Sequence, residues 1–300
     1  MDYLYRVRHL NSTWMTALSL SPIRMSYPIV LAHGIARFDE PWNKALELDN
    51  HDKPRSDQYH YFRGIRSYLM ENGFSVYHSN VPWAAVVKDR AEALRTNIES
   101  ILDEGHEKVN IIAHSMGGLD SRHMLFDDRN EGRIHERVAS LTTISTPHNG
   151  SSFADWGNNN LGFLKAWAKT IGVNLTGLDC LTTEFCGAFN HDPEVVEFEG
   201  SYFDQLEVRT YAGRQPFWRV LTLLKPSAYI IQNAEGDNDG LVSVESAKWR
   251  EEFFKGTLDE TDHLNEIGWW DLEQALAGET PAQFRERILG FYLGVASELP

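Results

Sequence analysis

Short apolar runs alternate with amphipathic stretches along most of the chain. Runs rich in apolar and β-branched residues predict buried strands, and they lie at 27–33, 74–78, 109–113 and 138–144. Between them, apolar residues recur at helical spacing, most clearly from Val87 to Ile101. Strands that alternate with helices of this length predict an α/β fold, with a mostly parallel central sheet and helices on both faces.

A capping box marks the start of the last predicted helix. Thr280 is the predicted N-cap, Pro281 takes the first helical position, and Gln283 stands three residues after the cap. No linker rich in glycine or serine divides the chain. We therefore predict a single domain over residues 27–300, preceded by an N-terminal extension over residues 1–26.

Composition narrows the possible partners. Of 300 residues, 42% are hydrophobic and 24% charged, which is typical of a globular protein. The formal net charge of −15 disfavours nucleic acid and an anionic membrane surface as partners. No apolar run approaches the ~18 residues that a transmembrane segment needs. The N-terminal apolar stretch 14–20 is too short and too interrupted for a signal peptide, so we expect a cytoplasmic protein, with leaderless secretion as the alternative.

Two cysteines exclude a disulfide-dense scaffold and a cysteine-only zinc site. Cys180 and Cys186 flank the start of a predicted helix. Inside one helix they would be too far apart to bridge, so we expect free thiols. A local disulfide would require Cys180 to precede that helix.

The segment from Ala113 to Gly117 has the small-x-Ser-x-Gly pattern of a nucleophile elbow. It lies where a predicted strand becomes a predicted helix. The serine of such an elbow occupies a strained turn, and the residues two before and two after it must be small because they face each other. Ser115 is therefore the candidate nucleophile; a strand that ends in an ordinary serine N-cap is the alternative interpretation.

An elbow of this kind needs two backbone donors for a developing oxyanion. The N–H of Met116, directly after the serine, is one candidate. The other is the N–H of Ile35, because Gly34 lets the chain turn sharply at the end of the first strand. Taken alone, His33-Gly34 would be read as a simple turn.

Chain order favours His263 as the base and Asp239 as the acid. The expected order is serine, acid, histidine, and His263 is the sole histidine in the last third of the chain. Asp239 follows the apolar run 229–231, and a carboxylate on a loop at a strand end could orient the imidazole. Asp237 and Glu235 remain alternatives, and Asn-Asp-Gly by itself is also ordinary turn chemistry.

Taken together, these ordered motifs resemble bacterial triacylglycerol lipases of the Pseudomonas and Proteus type, which belong to the α/β-hydrolase superfamily. The resemblance implies an α/β-hydrolase fold with Ser115, Asp239 and His263 as its triad, and a helical lid at approximately 152–180. It rests on the segments 27–39, 61–65, 90–94, 108–118, 146–150, 181–190, 238–242 and 262–266.

The chain departs from the resembled lipases in three places. Arg37 stands where a small residue is usual, and the insertion 40–57 follows the oxyanion segment. The resembled lipases usually bind one Ca²⁺ through two aspartates, where this chain has Asn265 and Lys225. An amide and an ammonium are poor ligands for a hard dication, so we expect no metal and no cofactor. Our hypothesis is that Lys225 replaces the ion and is accepted by the Asn265 amide oxygen; the alternative is a solvated Lys225 and a loop held by packing.

Leu164, Trp167 and Ile171 share one face of a predicted helix within the stretch 152–180. The resemblance implies that this stretch is an amphipathic lid whose apolar face contacts the acyl chain. An ordinary helix packed on the edge of the sheet is the alternative.

The expected function is hydrolysis of carboxylic esters, with triacylglycerols as the expected substrates. Ser115 would form an acyl-enzyme, His263 would transfer protons, and the N–H groups of Ile35 and Met116 would hold the oxyanion. Expected partners are a lipid or ester and, transiently, a lipid–water interface. A short-chain carboxylesterase or polyester hydrolase with the same triad is the nearer alternative. A non-catalytic binding protein on this fold is the more distant one, and it predicts no labelling by a fluorophosphonate.

Overall fold

Six strands form the central sheet of the computed structural model, which describes residues 26–35, 57–82, 85–171 and 175–300. The predicted extension up to residue 25, Arg37 and the insertion 40–57 up to residue 56 lie outside these described residues. The sheet order is β2-β1-β3-β4-β5-β6, and every pairing is parallel. The strands are β1 (Ile29–Ala32), β2 (Val76–His78), β3 (Val109–His114), β4 (Val138–Ile144), β5 (Glu207–Arg214) and β6 (Phe254–Asp259).

Helices connect the strands on both sides. The α-helices are α1 (Ile65–Glu71), α2 (Val87–Asp103), α3 (Met116–Asp127), α4 (Ser152–Asn159), α5 (Leu161–Ile171), α6 (Thr183–Asn190), α7 (Pro193–Tyr202), α8 (Lys225–Ala234), α9 (Val244–Lys248), α10 (Leu272–Leu276) and α11 (Pro281–Ser297). Short 3-10 helices cover Ile134–Arg137, Leu175–Leu181, Phe217–Arg219, Thr222–Leu224 and Asn265–Ile267. None of the helices in the described ranges is long and apolar enough to span a membrane.

The alternation of side chains along the strands produces two cores, one on each face of the sheet. In β1, Val30 packs with apolar residues of α2 and α3, whereas Leu31 packs with those of α1 and α11. This arrangement confirms the predicted parallel sheet with helices on both faces. A third cluster, which includes Met116 and Trp167, lies above the carboxyl ends of the strands and joins α3 to α4, α5 and α8.

Most predicted elements are confirmed, and their ends follow the sequence signals. The helix predicted from Val87 runs to Asp103, the strand 138–144 matches β4, and the Thr280 capping box is present. The interpretation of 229–231 as the approach to a strand end is wrong, because these residues lie inside α8. The sequence analysis also did not predict β5 and β6. That residues 27–300 form one domain stays a prediction.

Candidate active site

Ser115 occupies a strained turn between β3 and α3. Its φ of 56° and ψ of −133° lie where residues other than glycine are rarely found. The turn is held on both sides: the N–H of Ser115 donates to the Ile144 carbonyl at 3.0 Å, and its carbonyl accepts from Thr146 Oγ1 at 2.8 Å. A Cβ at Gly117 would lie 2.4 Å from the Ala32 carbonyl oxygen. The start of α3 therefore packs so closely on β1 that only glycine fits there.

The loop after β1 passes directly over this serine. A Cβ at Gly34 would lie 2.6 Å from Tyr61 Oη and 3.2 Å from Ser115 Oγ, so the approach requires glycine. The loop brings the predicted oxyanion residue Ile35 to the same cavity as Ser115. Within the described residues, the backbone N–H groups of Ile35 and Met116 have no hydrogen-bond acceptor. Both groups stay candidate donors to an oxygen of a bound molecule.

A buried arginine holds this loop in place. Arg90 Nη2 donates to the His33 carbonyl at 2.8 Å, and Nη1 donates to the Pro82 carbonyl at 3.0 Å. Nε and Nη2 donate to Asp120 of α3 at 2.7–3.1 Å. Burial raises the pKa of Asp120 to about 6, and Arg90 opposes this rise. The sequence analysis missed this role; the available signal was an arginine among the apolar positions of α2.

Asp239 and His263 lie on adjacent loops, and two hydrogen bonds join them. His263 Nδ1 is 2.7 Å from Asp239 Oδ2, and the His263 N–H donates to the Asp239 carbonyl at 2.9 Å. Asp239 Oδ1 accepts the N–H groups of Leu241 and Val242 at 2.8 and 2.7 Å. The alternative acids are engaged elsewhere: Asp237 pairs with Arg214 at the surface, and Glu235 accepts hydrogen bonds from Ser152 and Ser243.

Ser115 and His263 both line one apolar cavity of about 190 Å³. The predicted lid stretch contributes Trp167 to its wall, with Leu164 buried behind it; the side chain of Ile171 lies outside the described residues. The other apolar walls come from Ile35, Pro147, Phe153, Ala154, Leu178, Leu181, Leu221, Leu223, Leu224, Leu241, Val242 and Leu264. Such a cavity suits a hydrocarbon chain next to a reactive serine.

A buried polar network lies behind the imidazole of His263. The ring of His114 is 4.4 Å from that of His263, centroid to centroid, and His114 Nε2 is 2.8 Å from Glu266 Oε2. On the other side, His114 Nδ1 is 2.8 Å from Tyr61 Oη. Burial and the nearby His263 lower the pKa of His114, whereas burial and the neighbouring Asp239 raise the pKa of Glu266. The sequence analysis assigned no role to Glu266.

Three of these residues could in principle bind a metal. Ligand atoms of His114, His263 and Glu266 lie within 4.8 Å of one another. The facing nitrogen of His114 already contacts Glu266, and Nδ1 of His263 contacts Asp239. The donor set is therefore engaged in hydrogen bonds between protein atoms.

The histidine loop is anchored by amides and backbone groups. Asn265 Oδ1 accepts from Gln274 Nε2 at 2.6 Å and from the Asp262 N–H at 3.2 Å. Arg219 Nη2 in turn donates to Gln274 Oε1 at 2.6 Å. Asp262 Oδ2 accepts the N–H of Leu221 at 2.9 Å, which ties this loop to the neighbouring one. Burial and Asp271 raise the pKa of Asp262 to about 7.

The predicted contact between Lys225 and Asn265 is wrong. The Asn265 oxygen is occupied by the donors of Gln274 and Asp262, and Lys225 begins helix α8 with no hydrogen bond to Asn265 in the described part of the chain. Neutral donors can saturate this oxygen without placing a charge in a buried site, which explains the preference. The residues at this place fit calcium poorly, because an amide oxygen saturated by N–H groups has no lone pair to offer a cation.

Both cysteines are free thiols, as predicted. Cys180 lies in the 3-10 helix before α6, and Cys186 lies inside α6. The Cys186 thiol donates to the Cys180 carbonyl at 3.5 Å. Burial raises the pKa of Cys186 to about 12, so this thiol stays protonated and unreactive in the fold.

Comparison with known proteins finds one matching family model and several lipases. Residues 71–169 match the family described as PGAP1-like alpha/beta domain. Triacylglycerol lipase 2 of Saccharomyces cerevisiae is 29% identical over 91% of this chain and 90% of its own length. A triacylglycerol lipase of Pseudarthrobacter phenanthrenivorans is 35% identical over 43% of this chain, a match that spans about a third (36%) of that lipase.

Among solved structures, the mature form of a Bacillus licheniformis lipase superposes with a TM-score of 0.58. It is 22% identical and covers 81% of this chain and 87% of its own. At this identity the likeness concerns the fold. The chain therefore has the α/β-hydrolase fold and is similar in sequence to the yeast triacylglycerol lipase over most of its length and to bacterial ones over part of it, which confirms the predicted resemblance.

Proposed function

We propose that Ser115, His263 and Asp239 form the catalytic triad with which this protein, a carboxylic ester hydrolase of the lipase type, cleaves triacylglycerols. The observation that carries the assignment is the meeting of three distant segments at one cavity. Ser115 and His263 face that cavity, and Asp239 contacts the far nitrogen of the same imidazole at 2.7 Å. Asp239 thereby fixes the tautomer in which Nε2 can accept a proton.

The reaction proceeds by acyl transfer. His263 Nε2 removes the hydroxyl proton of Ser115, and Oγ attacks the ester carbonyl carbon. The N–H groups of Ile35 and Met116 stabilise the oxyanion, with the start of α3 adding a favourable dipole. The tetrahedral intermediate collapses when His263 protonates the departing alkoxide. Water, deprotonated by His263, then attacks the acyl-enzyme, and Ser115 recovers its proton as the fatty acid leaves.

The apolar cavity supports a long-chain acyl substrate at a lipid–water interface. Helices α4 and α5 and the 3-10 helix Leu175–Leu181 roof the cavity, and we propose that they act as a lid which moves at an interface. A short-chain carboxylesterase is the second candidate. The observation in its favour is the volume of about 190 Å³, below the ~300 Å³ typical of ligand pockets.

Replacement of the nucleophile tests the assignment. Ser115→Ala is expected to abolish hydrolysis of p-nitrophenyl esters and labelling by a fluorophosphonate. Ser121→Ala is the matched control, because this buried serine lies on the same helix and donates only to the Gly117 carbonyl. Full activity of Ser115→Ala would refute the triad.

A substrate series separates the two candidate functions. A lipase is expected to prefer long-chain triacylglycerols, with a rate that rises when the substrate forms an emulsion. A preference for acyl chains of about four carbons or fewer, without a response to an interface, would support the carboxylesterase instead.

A further inference from the structure

A second cleft, of about 210 Å³, lies beside the histidine loop and apart from the catalytic cavity. Its walls come from the segment before α1, from residues that follow the histidine loop, and from the first half of α11. Trp270, Phe284, Ile288 and Leu289 give it an apolar floor. Among the described residues, none lines both this second cleft and the catalytic cavity. The second cleft is therefore a separate site, to which the proposed function assigns no role.

Two arginines line the second cleft, and neither is neutralised. The side chains of Arg63 and Arg285 have no hydrogen-bond acceptor and no carboxylate partner within the described residues. The guanidinium carbon of Arg63 lies 4.9 Å from the ring centroid of Trp269, and Nη2 of Arg285 lies 3.8 Å from the point where Gly64 would carry a Cβ. No aspartate or glutamate is found among the described residues that line the cleft.

This local excess of positive charge contrasts with the net charge of −15. Other arginines in the described ranges are paired, as Arg287 of the same helix is with Glu279 at 2.9 Å. Two like charges at one cleft repel each other. Helix α11 adds to the repulsion, because the positive end of its dipole lies near the cleft and its first turn contains no acidic residue. A bound anion would neutralise all three positive contributions.

An anion that carries an alkyl chain fits both the arginines and the apolar floor. A guanidinium binds a carboxylate through paired N–H donors, and apolar side chains such as Phe284 and Ile288 favour the chain. The volume of about 210 Å³ is below the ~300 Å³ typical of ligand pockets. The second cleft is therefore suited to a carboxylate head and the first carbons of its chain.

The second cleft is joined to the histidine loop through the backbone. The N–H of Arg63 donates to the Ile267 carbonyl at 2.9 Å, and a Cβ at Gly268 would lie only 2.7 Å from the Arg63 carbonyl oxygen. Both segments continue to the catalytic cavity, one through Tyr61 and the other through His263. A ligand held in the second cleft would therefore stabilise the packing of these two segments against each other.

We propose that the second cleft binds a fatty acid anion, with its carboxylate between Arg63 and Arg285 and its first carbons on Phe284 and Ile288. The choice of a fatty acid rests on the proposed function, because that reaction releases such a molecule. The binding itself involves no covalent step. It makes the second cleft a product-binding site next to the histidine loop.

Titration calorimetry with octanoate, below the concentration at which it forms micelles, tests the ligand class. One octanoate should bind per chain, at least about 10-fold more tightly than octan-1-ol, which lacks the charge, or acetate, which lacks the chain. Octanoate should also raise the Tm, because it binds the folded state. Equal binding of octanol, or no binding of octanoate, would overturn the proposal.

Replacement of each arginine tests the site. Arg63→Gln and Arg285→Gln should each raise the Kd of octanoate by about 10-fold, because a hydrogen bond to a charged group is lost. Since neither side chain has a carboxylate partner within the described residues, neither change should lower the Tm of the ligand-free protein. Lys255→Gln is the control: it removes an exposed positive charge on β6 that does not line the cleft. An equal loss of binding in the control, or unchanged binding in both arginine variants, would refute the site.

Two further anions separate the possible sources of the head group. Inorganic phosphate should bind more weakly than octanoate, because it lacks a chain. Octyl phosphate should bind no more than about 10-fold more tightly than octanoate. Binding of inorganic phosphate as tight as that of octanoate would indicate a site for free anions, and a much tighter binding of octyl phosphate would indicate a phospholipid head group. Either result would contradict a fatty acid site.

Labelling keeps this result separate from the proposed function. A fluorophosphonate with an alkyl chain should label Ser115 and fill the catalytic cavity, and the labelled protein should still bind octanoate. Loss of octanoate binding after labelling would place the ligand in the catalytic cavity and overturn the proposal. If Ser115 is not labelled, the proposed function fails, while the arginine variants still decide whether the second cleft binds a carboxylate.

Discussion

His263 Nδ1 contacts one oxygen of Asp239 at 2.7 Å, while the other oxygen of that carboxylate accepts two backbone N–H groups of its own loop. The two carboxylate oxygens of Asp239 thus bind different groups. Oδ1 holds the acid loop in shape, and Oδ2 holds the imidazole. Because Asp239 is fully buried, water does not compete for either oxygen.

Asp239→Asn should separate the effect of these contacts on stability from their effect on catalysis. The amide oxygen can still accept the N–H groups of Leu241 and Val242, so we expect a Tm close to that of the wild type. The amide nitrogen would instead donate to His263 Nδ1 and impose the wrong tautomer, which predicts a kcat lower by roughly 10³-fold to 10⁴-fold. Ester hydrolysis assays and thermal melts measure the two effects. Wild-type activity in this variant would show that another group orients His263.

The elements that could be predicted from the sequence are those marked by local patterns of apolar residues. Strands such as 109–114 are buried throughout and mostly apolar because both faces of the sheet are covered, and such runs are easily recognised. Strand β5 was missed because Arg209 and Thr210 interrupt its apolar pattern. Both are buried, with Arg209 paired to Glu207 and Glu298. Burial of a paired arginine depends on a partner almost 90 residues away, which no local pattern reveals.

In the candidate site, too, local motifs were predictable from the sequence, whereas contacts between distant segments were not. The elbow around Ser115 was recognisable because strain at the serine demands small neighbours, and those are visible in the sequence. The predicted contact between Lys225 and Asn265 failed, since one partner of the Asn265 oxygen is Gln274, a residue on a short helix that no motif connects with the loop. The contacts of Arg90 with His33 and of Glu266 with His114 likewise join distant segments.

We expect removal of the Arg90–Asp120 ion pair to lower kcat more than it lowers the stability of the fold. Breaking a buried pair on one side typically costs about 3–5 kcal/mol, whereas replacing both partners with apolar residues is often neutral. Arg90→Met with Asp120→Leu should therefore fold with a Tm near that of the wild type. The His33 carbonyl would lose the hydrogen bond from Arg90, and the oxyanion loop would become less ordered, so we expect kcat to fall by at least about 10-fold.

Thermal melts of the single variants provide the control for this pair. Arg90→Met and Asp120→Leu alone should each lower the Tm much more than the double variant does. If the double variant keeps full kcat on p-nitrophenyl esters, the His33 contact does not position the oxyanion loop.

Treatment with a metal chelator should change neither the stability nor the activity of the protein. The Asn265 oxygen is saturated by N–H donors, so EDTA is expected to alter neither the Tm nor the activity. Gln274→Ala, in contrast, removes one of the donors to Asn265 and the Gln274 acceptor of the buried Arg219, and loss of a partner to a buried group of this kind costs about 1–3 kcal/mol. Lys225→Gln is the control and should melt like the wild type. An EDTA-induced loss of activity that Ca²⁺ restores would contradict this account of the loop.

A hydrogen bond joins the proposed lid to the opposite wall of the cavity, and its removal should favour the open state. Trp167 Nε1 of α5 donates to the Leu223 carbonyl at 2.9 Å. Such a bond contributes about 1 kcal/mol, which corresponds to roughly a fivefold change in the ratio of open to closed lid. Trp167→Phe should therefore hydrolyse dissolved short-chain esters faster than the wild type, while rates on emulsions change little, so that the activation by an interface decreases. Trp156→Phe on α4 is the matched control, since no hydrogen bond of its indole is found within the described residues. An unchanged ratio of emulsion to solution rates in Trp167→Phe would show that this contact does not hold the lid closed.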